Sequence, residues 1–328
     1  MELLKQLTQI NSPSGNEENI VNFIEEEIKS YVDEIYRDNF GNLIAHKKGT
    51  GKRVMFDAHT DEIGVMAMFI EDNGYVRISN LGGVSAYNAL HKRVKFLNGT
   101  EGVVSVDSTR DDVLKSLKVS DLYIDIGAKD KEEAENKISV GDVASFIGEF
   151  LDLGEKVVSK ALDDRVGCYC LIRAIKEIKS HKNDLYFVFA ASEELGLRGA
   201  KAAAQSINPD YAVALDVTST GDTFGKRKMA VRTGAGAAIK IKDNSILCHP
   251  YIKSLMIDTC EENKIPYQLE VLEFGGTDAG AIHLSCGGVA TGAISIPTRY
   301  IHSPSEMADK NDIEATVTLC KKLIEKGF

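Results

Sequence analysis

The chain has 328 residues, with 43% hydrophobic and 27% charged residues and a formal net charge of -10. Such a composition is ordinary for a soluble globular protein, and the length allows one large domain or two smaller ones. An acidic surface repels nucleic acid and anionic membranes, so neither is an expected partner.

The chain carries no obvious targeting or membrane signal. The longest uninterrupted apolar run, 185–191, is far shorter than the ~20 residues that a spanning helix needs. The N-terminal residues lack the basic region and the long apolar core of a secretory signal. Six cysteines are scattered without a CxxC pair, which favours free thiols in a reducing compartment. We therefore expect a cytoplasmic protein.

The first third of the chain changes character near residue 64. Ser14 and Glu17 have the spacing of a capping box, and isoleucines then recur at helical intervals up to residue 32. The apolar run 53–58 predicts a buried strand. Residues 64–157 contain two Asn-Gly pairs, at 73–74 and 98–99, each between alternating apolar segments. Such pairs are typical of hairpins and predict a small antiparallel β domain.

After residue 157 the pattern alternates between helices and strands. Helices are predicted at 164–178, 199–207, 250–263 and 312–326, and buried strands at 185–191, 211–215 and 289–296. Continuous apolar strands between helices favour an α/β three-layer sandwich with a largely parallel mixed sheet. Residues 1–63 and 158–328 would form this domain, and 64–157 would be an inserted small β-barrel domain.

Acidic and histidine side chains follow several of the predicted strands. They are His59 and Asp61 after 53–58, Asp163 after 157–158, Glu193 and Glu194 after 185–191, Asp216 after 211–215, and His302 after 292–297. A single acid in such a place is more commonly a turn residue or a helix cap. In open α/β sheets, however, ligands bind beyond the carboxyl ends of the strands, so the whole set predicts one site.

This set of side chains suits metal-assisted hydrolysis. Histidine nitrogens and carboxylates bind divalent ions such as zinc. Two ions about 3.5–4 Å apart can acidify a water molecule and stabilise an oxyanion, and a further carboxylate can move the proton.

Six motifs, spread over the chain in order, resemble the di-metal aminopeptidases of the tetrahedral (TET) and glutamyl aminopeptidase family. They are DAHTDEIG (57–64), ALDDRVG (161–167), ASEELGLRGA (191–200), ALDVT (214–218), GGTDAG (275–280) and IPTRYIHSP (296–304). The resemblance implies a zinc-peptidase-like fold and a metal-dependent aminopeptidase. Such an enzyme removes the N-terminal residue of peptides through a water activated by two metal ions, with a glutamate as general base.

The resemblance also implies the role of each site residue. One ion would bind His59, Asp163 and Asp216, and the other would bind Asp163, Glu194 and His302, with Asp163 as the bridge. Glu193 is similar to the general base, and Asp61 to the carboxylate that orients the first imidazole. Gly276, Thr277 and Asp278 would line the substrate pocket, although a tight glycine turn explains them equally well. Arg165 is expected to neutralise the acidic cluster.

The family likeness further implies the cofactors and partners. Two divalent ions per subunit are expected, with zinc or cobalt the usual choices. The substrates would be peptides with a free N-terminus. Residues 64–157 would be a dimerisation domain, with a dimer as the unit of a homo-oligomer that extends to a dodecamer.

Three alternatives stay open at this point. A related di-metal deacylase or carboxypeptidase would share the ligands. A glycoside hydrolase (endoglucanase) needs only two carboxylates, but it leaves both histidines unexplained. A metal-binding protein without activity would not need Glu193.

Overall fold

The computed structural model of the chain describes residues 1–107, 115–224 and 228–328. Within these ranges the helices are α1 (Glu2–Gln9), α2 (Glu18–Ile28), α3 (Ala86–Ala89), α4 (Lys131–Glu135), α5 (Leu162–Glu177), α6 (Arg198–Ile207), α7 (Pro250–Asn263), α8 (Ala279–Ile282) and α9 (Lys310–Lys326). Two 3-10 turns cover Val119–Asp121 and Ser285–Gly287. The four predicted helices of the second half correspond to α5, α6, α7 and α9.

The strands fall into two sheets. They are β1 (Glu34–Arg37), β2 (Leu43–Lys47), β3 (Arg53–His59), β4 (Gly64–Ile70), β5 (Val76–Leu81), β6 (Arg93–Phe96), β7 (Glu101–Val106), β8 (Leu122–Asp125), β9 (Val143–Phe146), β10 (Leu151–Asp152), β11 (Lys156–Ser159), β12 (Asp184–Ala190), β13 (Tyr211–Thr218), β14 (Ala237–Lys242), β15 (Tyr267–Val271), β16 (Ala290–Arg299) and β17 (Glu306–Asp309). The larger sheet has the order β1-β2-β12-β3-β13-β16-β17-β11-β10, with β14 and β15 attached beside β16.

The centre of the larger sheet is parallel. β3 pairs in parallel with β12 and with β13, and β13 pairs in parallel with β16. The flanking strands are mostly antiparallel, so the sheet is mixed, as predicted. The carboxyl ends of the four central strands therefore share one edge of the sheet, where ligands bind in folds of this kind.

Helices cover both faces of this sheet. Along β3, Val54, Phe56 and Ala58 pack in the core that α1, α2, α5, α7 and α9 share. The intervening Met55 packs on the opposite face against α6 and α8. Alternate residues of a strand point to opposite faces, so a strand buried on both sides is apolar throughout. The predicted three-layer α/β sandwich is confirmed.

The second sheet is a closed barrel with the strand order β4-β5-β8-β7-β6-β9 and its own apolar core. Both predicted hairpins are present, β4–β5 and β6–β7. Their loops contain Gly74 at φ +84° and Gly99 at φ +94°, a region that favours glycine. β10 and β11, which follow the barrel in sequence, pair within the larger sheet. The inserted barrel is thus confirmed.

Two local expectations have different outcomes. The capping box is wrong: α2 begins at Glu18, and no side chain caps its N-terminus. The Ser14 hydroxyl instead donates to Asp61, and Glu17 accepts from the backbone N–H of Ser192. All six cysteines are free thiols, as expected. In the described part of the chain, no helix combines the length and apolarity that crossing a membrane requires.

Candidate metal centre and active site

The strand ends bring the predicted ligands and the predicted base, Glu193, together in two groups. His59 ends β3, Asp216 lies near the end of β13, and Glu193 follows β12. One potential ligand atom from each of these three lies within 4.8 Å of the others. Asp163, Glu194 and His302 form a second group with the same spacing. Residues up to 243 positions apart in sequence therefore meet at one edge of the sheet.

Asp163 lies between the two groups. Its Oδ1 is 3.1 Å from His59 Nε2, and its Oδ2 is 3.2 Å from His302 Nε2. The Asp216 carboxylate is 3.9 Å from His59 Nε2, and Glu194 Oε1 is 2.9 Å from His302 Nε2. Each histidine thus faces one oxygen of the shared carboxylate and one carboxylate of its own group.

The site is rich in buried negative charge. Burial raises the pKa of Asp216 and of Glu193 well above the ordinary range, and neighbouring carboxylates add to the effect. Burial also raises the pKa of Asp163, but hydrogen bonds from His302 and His59 outweigh it and lower that pKa. Among the described side chains, no Lys or Arg forms an ion pair with these carboxylates. The cluster has the composition that a cation would neutralise.

The two adjacent glutamates point to different groups because the backbone turns sharply before them. Ser192 has φ +56°, in the left-handed region. The Glu193 carboxylate is 4.0 Å from His59, while Glu194 contacts His302. An extended strand would send two neighbouring side chains to opposite faces, whereas this turn keeps both in the site.

Asp61 holds this turn in place. Its Oδ1 accepts the N–H of Glu193 at 2.9 Å, and its Oδ2 accepts the N–H of Glu194 at 3.2 Å. Oδ2 also accepts the Ser14 hydroxyl at 2.6 Å. The Nδ1 atom of His59 lies 3.2 Å from the Asp61 carbonyl oxygen and 3.4 Å from Oδ1 of the same residue. Asp61 therefore contacts the imidazole of His59 as well as the backbone of both glutamates.

Glu306, which sequence reasoning missed, joins two other parts of the site. Its Oε2 accepts the N–H of Asp163 at 2.9 Å, and its Oε1 accepts the N–H of His302 at 2.8 Å. The side chain is buried, at 2% exposure. The only signal in the sequence is that this acidic residue follows His302 by four positions.

The barrel contributes a glycine turn to the site, also unforeseen. The carbonyl oxygen of Gly83 lies 3.1 Å from His302 Nδ1, which can donate to it and leave Nε2 facing the cluster. A Cβ atom added to Gly83 would lie 2.5 Å from that nitrogen. One added to Gly82 would lie 2.7 Å from Glu194 Oε2. The turn thus needs glycine, because it packs directly on two predicted ligands.

Arg165 does not neutralise the acidic cluster, contrary to the sequence-based expectation. Its guanidinium is fully buried and donates to the carbonyl oxygens of Thr60, Leu7 and Ile10. Its nearest carboxylate is Glu62, at 3.8 Å. The sequence could not predict that Arg165 binds backbone carbonyl oxygens, because every residue has such an oxygen.

A cleft of about 550 Å³ opens over both groups of predicted ligands. Glu193 lines it, and so does Gly276. Thr277 and Asp278 are buried behind this surface, at 2% and 3% exposure, and do not line the cleft. Asp278 faces Asp57, another fully buried carboxyl group.

Paired histidine–carboxylate groups beyond the carboxyl ends of the parallel central strands, under an open cleft, are the arrangement expected of a metal-dependent hydrolase. Comparison with known proteins gives the family. The chain belongs to the M42 glutamyl aminopeptidase family, whose model matches residues 41–319. The resemblance inferred from the six motifs is confirmed, and the protein is a peptidase.

Relatives and solved structures agree with this assignment over the whole chain. A putative aminopeptidase of Acetivibrio thermocellus is 53% identical over 323 residues, which cover 98% of each chain. The aminopeptidase APDkam598 of Desulfurococcus kamchatkensis has a TM-score of 0.96 and 40% identity, covering 99% of this chain and 94% of its own. The TET1 peptidase of Pyrococcus horikoshii, described as assembling into a tetrahedron or a large octahedral shell, has a TM-score of 0.89 and 35% identity, with 99% of both chains covered.

Proposed function

We propose that this protein is a two-metal aminopeptidase that removes the N-terminal residue of peptides. His59, Asp163 and Asp216 would hold one divalent ion, and Asp163, Glu194 and His302 would hold the other. The observation that carries this proposal is the placement of Asp163, with one carboxylate oxygen 3.1 Å from one histidine and the other 3.2 Å from the second. A carboxylate placed in this way can bridge two ions.

The donor set fits such ions. Imidazole nitrogens and carboxylate oxygens suit zinc and cobalt alike, so we propose one of these. The second nitrogen of each imidazole is oriented by a carbonyl oxygen, of Asp61 for His59 and of Gly83 for His302. When bound, the two ions would acidify a water molecule and stabilise negative charge on the scissile carbonyl oxygen.

Glu193 is the proposed general base and acid. Its side chain is only 12% exposed and lines the cleft beside the proposed ligands. A buried carboxylate with a raised pKa accepts a proton readily and returns it readily. It would take the proton of the attacking water and pass it to the departing amine.

We further propose that the enzyme works as a cytoplasmic homo-oligomer. The inserted segment, residues 64–157, whose strands β4 to β9 form the barrel, would be the dimerisation domain, with the dimer as the unit of assemblies up to a dodecamer. The assembly described for TET1 supports this extension, and six free thiols agree with a reducing compartment.

The test is hydrolysis of aminoacyl-p-nitroanilides with free or acetylated N-termini, before and after chelation and after zinc or cobalt is restored. We expect cleavage of the free-amine substrates only, lost on chelation and recovered with metal. Protein that holds two ions per chain and cleaves none of them would refute the proposal. It would then favour the deacylase or the inactive alternative.

Two neighbouring variants test the roles of the glutamates. Glu193→Gln should keep two ions per chain and lose about 10²–10⁴-fold in kcat. Glu194→Gln should instead lose metal, as measured by elemental analysis after dialysis. Full activity of Glu193→Gln would refute its role as the base.

A further inference from the structure

The walls of the cleft are apolar beyond the predicted ligands and the base. Five apolar side chains line them: Leu197, Val217, Leu272, Phe274 and Ile301. Four glycines and the hydroxyl residues Thr218 and Ser219 complete the described lining. No described Lys or Arg side chain lines the cleft. Its described acidic side chains are Glu193 and three of the predicted metal ligands.

The charged side chains behind one wall are already paired. The Thr218 hydroxyl donates to Glu270 at 2.8 Å, and Lys240 donates to the same carboxylate. Lys240 also lies 3.5 Å from Asp243. Lys240 and Glu270 are both fully buried. Among the described residues, this wall therefore presents no unpaired charge to a substrate side chain.

From this lining we infer that the enzyme prefers peptides whose N-terminal residue is apolar and uncharged, such as leucine, methionine or phenylalanine. The inference rests on the proposed aminopeptidase function and specifies its substrate class. It departs from the acidic preference that the family description suggests, because an acidic side chain needs a cation that the described walls do not offer.

The physical basis of this selectivity is the cost of removing charge from water. A glutamate or lysine side chain that enters an apolar wall loses hydration without gaining a partner. A leucine side chain gains from the burial of its apolar surface. In a hydrophobic pocket, a single methylene group more or less changes kcat/KM by about 10–200-fold.

The first experiment compares kcat/KM of the metal-loaded enzyme on leucyl, methionyl, phenylalanyl, glutamyl and lysyl p-nitroanilides. We expect each apolar substrate to exceed both charged ones by about tenfold or more. Fastest cleavage of the glutamyl or the lysyl substrate would overturn the inference while upholding the aminopeptidase function. Cleavage of none would instead defeat the function itself.

A pair of variants tests the wall directly. Phe274→Lys places a cation on a half-buried position of the cleft, which tolerates substitution better than the buried Leu272. It should raise the ratio of glutamyl to leucyl kcat/KM by about tenfold or more. Leu247→Lys adds the same charge at a position that is 72% exposed and outside the cleft. It should leave the ratio unchanged, and an equal ratio in both variants would contradict the assignment of this wall.

Discussion

Replacing Asp61 by asparagine tests how the site is held together. The carboxylate is fully buried and receives the N–H groups of Glu193 and Glu194 as well as the Ser14 hydroxyl. Burial raises its pKa, but hydrogen bonds from His59 and Ser14 outweigh this effect and lower the pKa, so the group is ionised. Asp61→Asn keeps the shape and replaces one acceptor oxygen by an NH₂ donor.

The magnitude follows from these contacts. The new NH₂ group faces a backbone N–H, and one charge-assisted hydrogen bond worth about 1.5–3 kcal/mol is lost. Because that bond fixes the turn of Glu193 and Glu194, we expect metal affinity to fall by about 10–100-fold. At low metal concentration kcat/KM should fall in parallel. Saturating metal should restore most of it, since Glu193 is intact.

The assay is titration of the metal-free variant with zinc or cobalt against a chelating dye, followed by kinetics at each metal concentration. Glu193→Gln is the contrasting variant, because added metal should not rescue it. Asp130→Asn is the matched control. Asp130 also accepts a backbone N–H, that of Glu133 at 2.9 Å, but in the barrel. Unchanged metal affinity in Asp61→Asn, or an equal loss in the control, would refute the reasoning.

Two further predictions concern His302. Gly83→Ala should weaken metal binding by about tenfold or more, because its methyl group would displace the imidazole. Gly99→Ala strains a barrel loop at φ +94° but meets no neighbouring atom and lies outside the cleft, so it should leave metal binding unchanged. In the metal-free enzyme, burial lowers the pKa of His302, but hydrogen bonds with Asp163 and Glu194 outweigh it and raise the pKa to about 12. The resulting stability is complete below the unfolded value of 6.5 and is lost as pH rises toward 12. The melting temperature of metal-free protein should therefore fall between about pH 6.5 and about pH 9, and no fall would contradict this pairing.

Strand identity and the convergence of the site were predictable because both depend on periodic, local patterns. The runs 54–56 and 212–215 are apolar throughout, which is typical of strands buried on both faces. The rule that ligands lie beyond the carboxyl ends of parallel strands then predicts that His59 and Asp216 lie together.

The supporting contacts were not predictable, because they join residues far apart in sequence through groups without a pattern. The polar pair Ser14 and Glu17 has the spacing of a helix cap but contacts Asp61 and Ser192 instead. Arg165 binds backbone carbonyl oxygens, which every residue has. The short strands β14 and β15 were also not predicted. In β14 the reason is the buried Lys240, which interrupts the apolar run that would indicate a buried strand.

The turn at Gly82 and Gly83 makes the barrel part of the proposed metal site. It contacts Glu194 and His302, one predicted ligand from each of two distant loops of the α/β domain. Metal binding by these proposed ligands and the packing of the barrel against the α/β domain would therefore be thermodynamically linked. Coupling between two sites is reciprocal. If packing of the barrel on the α/β domain strengthens metal binding by a certain free energy, metal binding would stabilise that packing by the same amount. A change in the orientation of the barrel would then alter how much metal is bound, even if no metal ligand is replaced. The insertion would therefore not be exchangeable as an independent module.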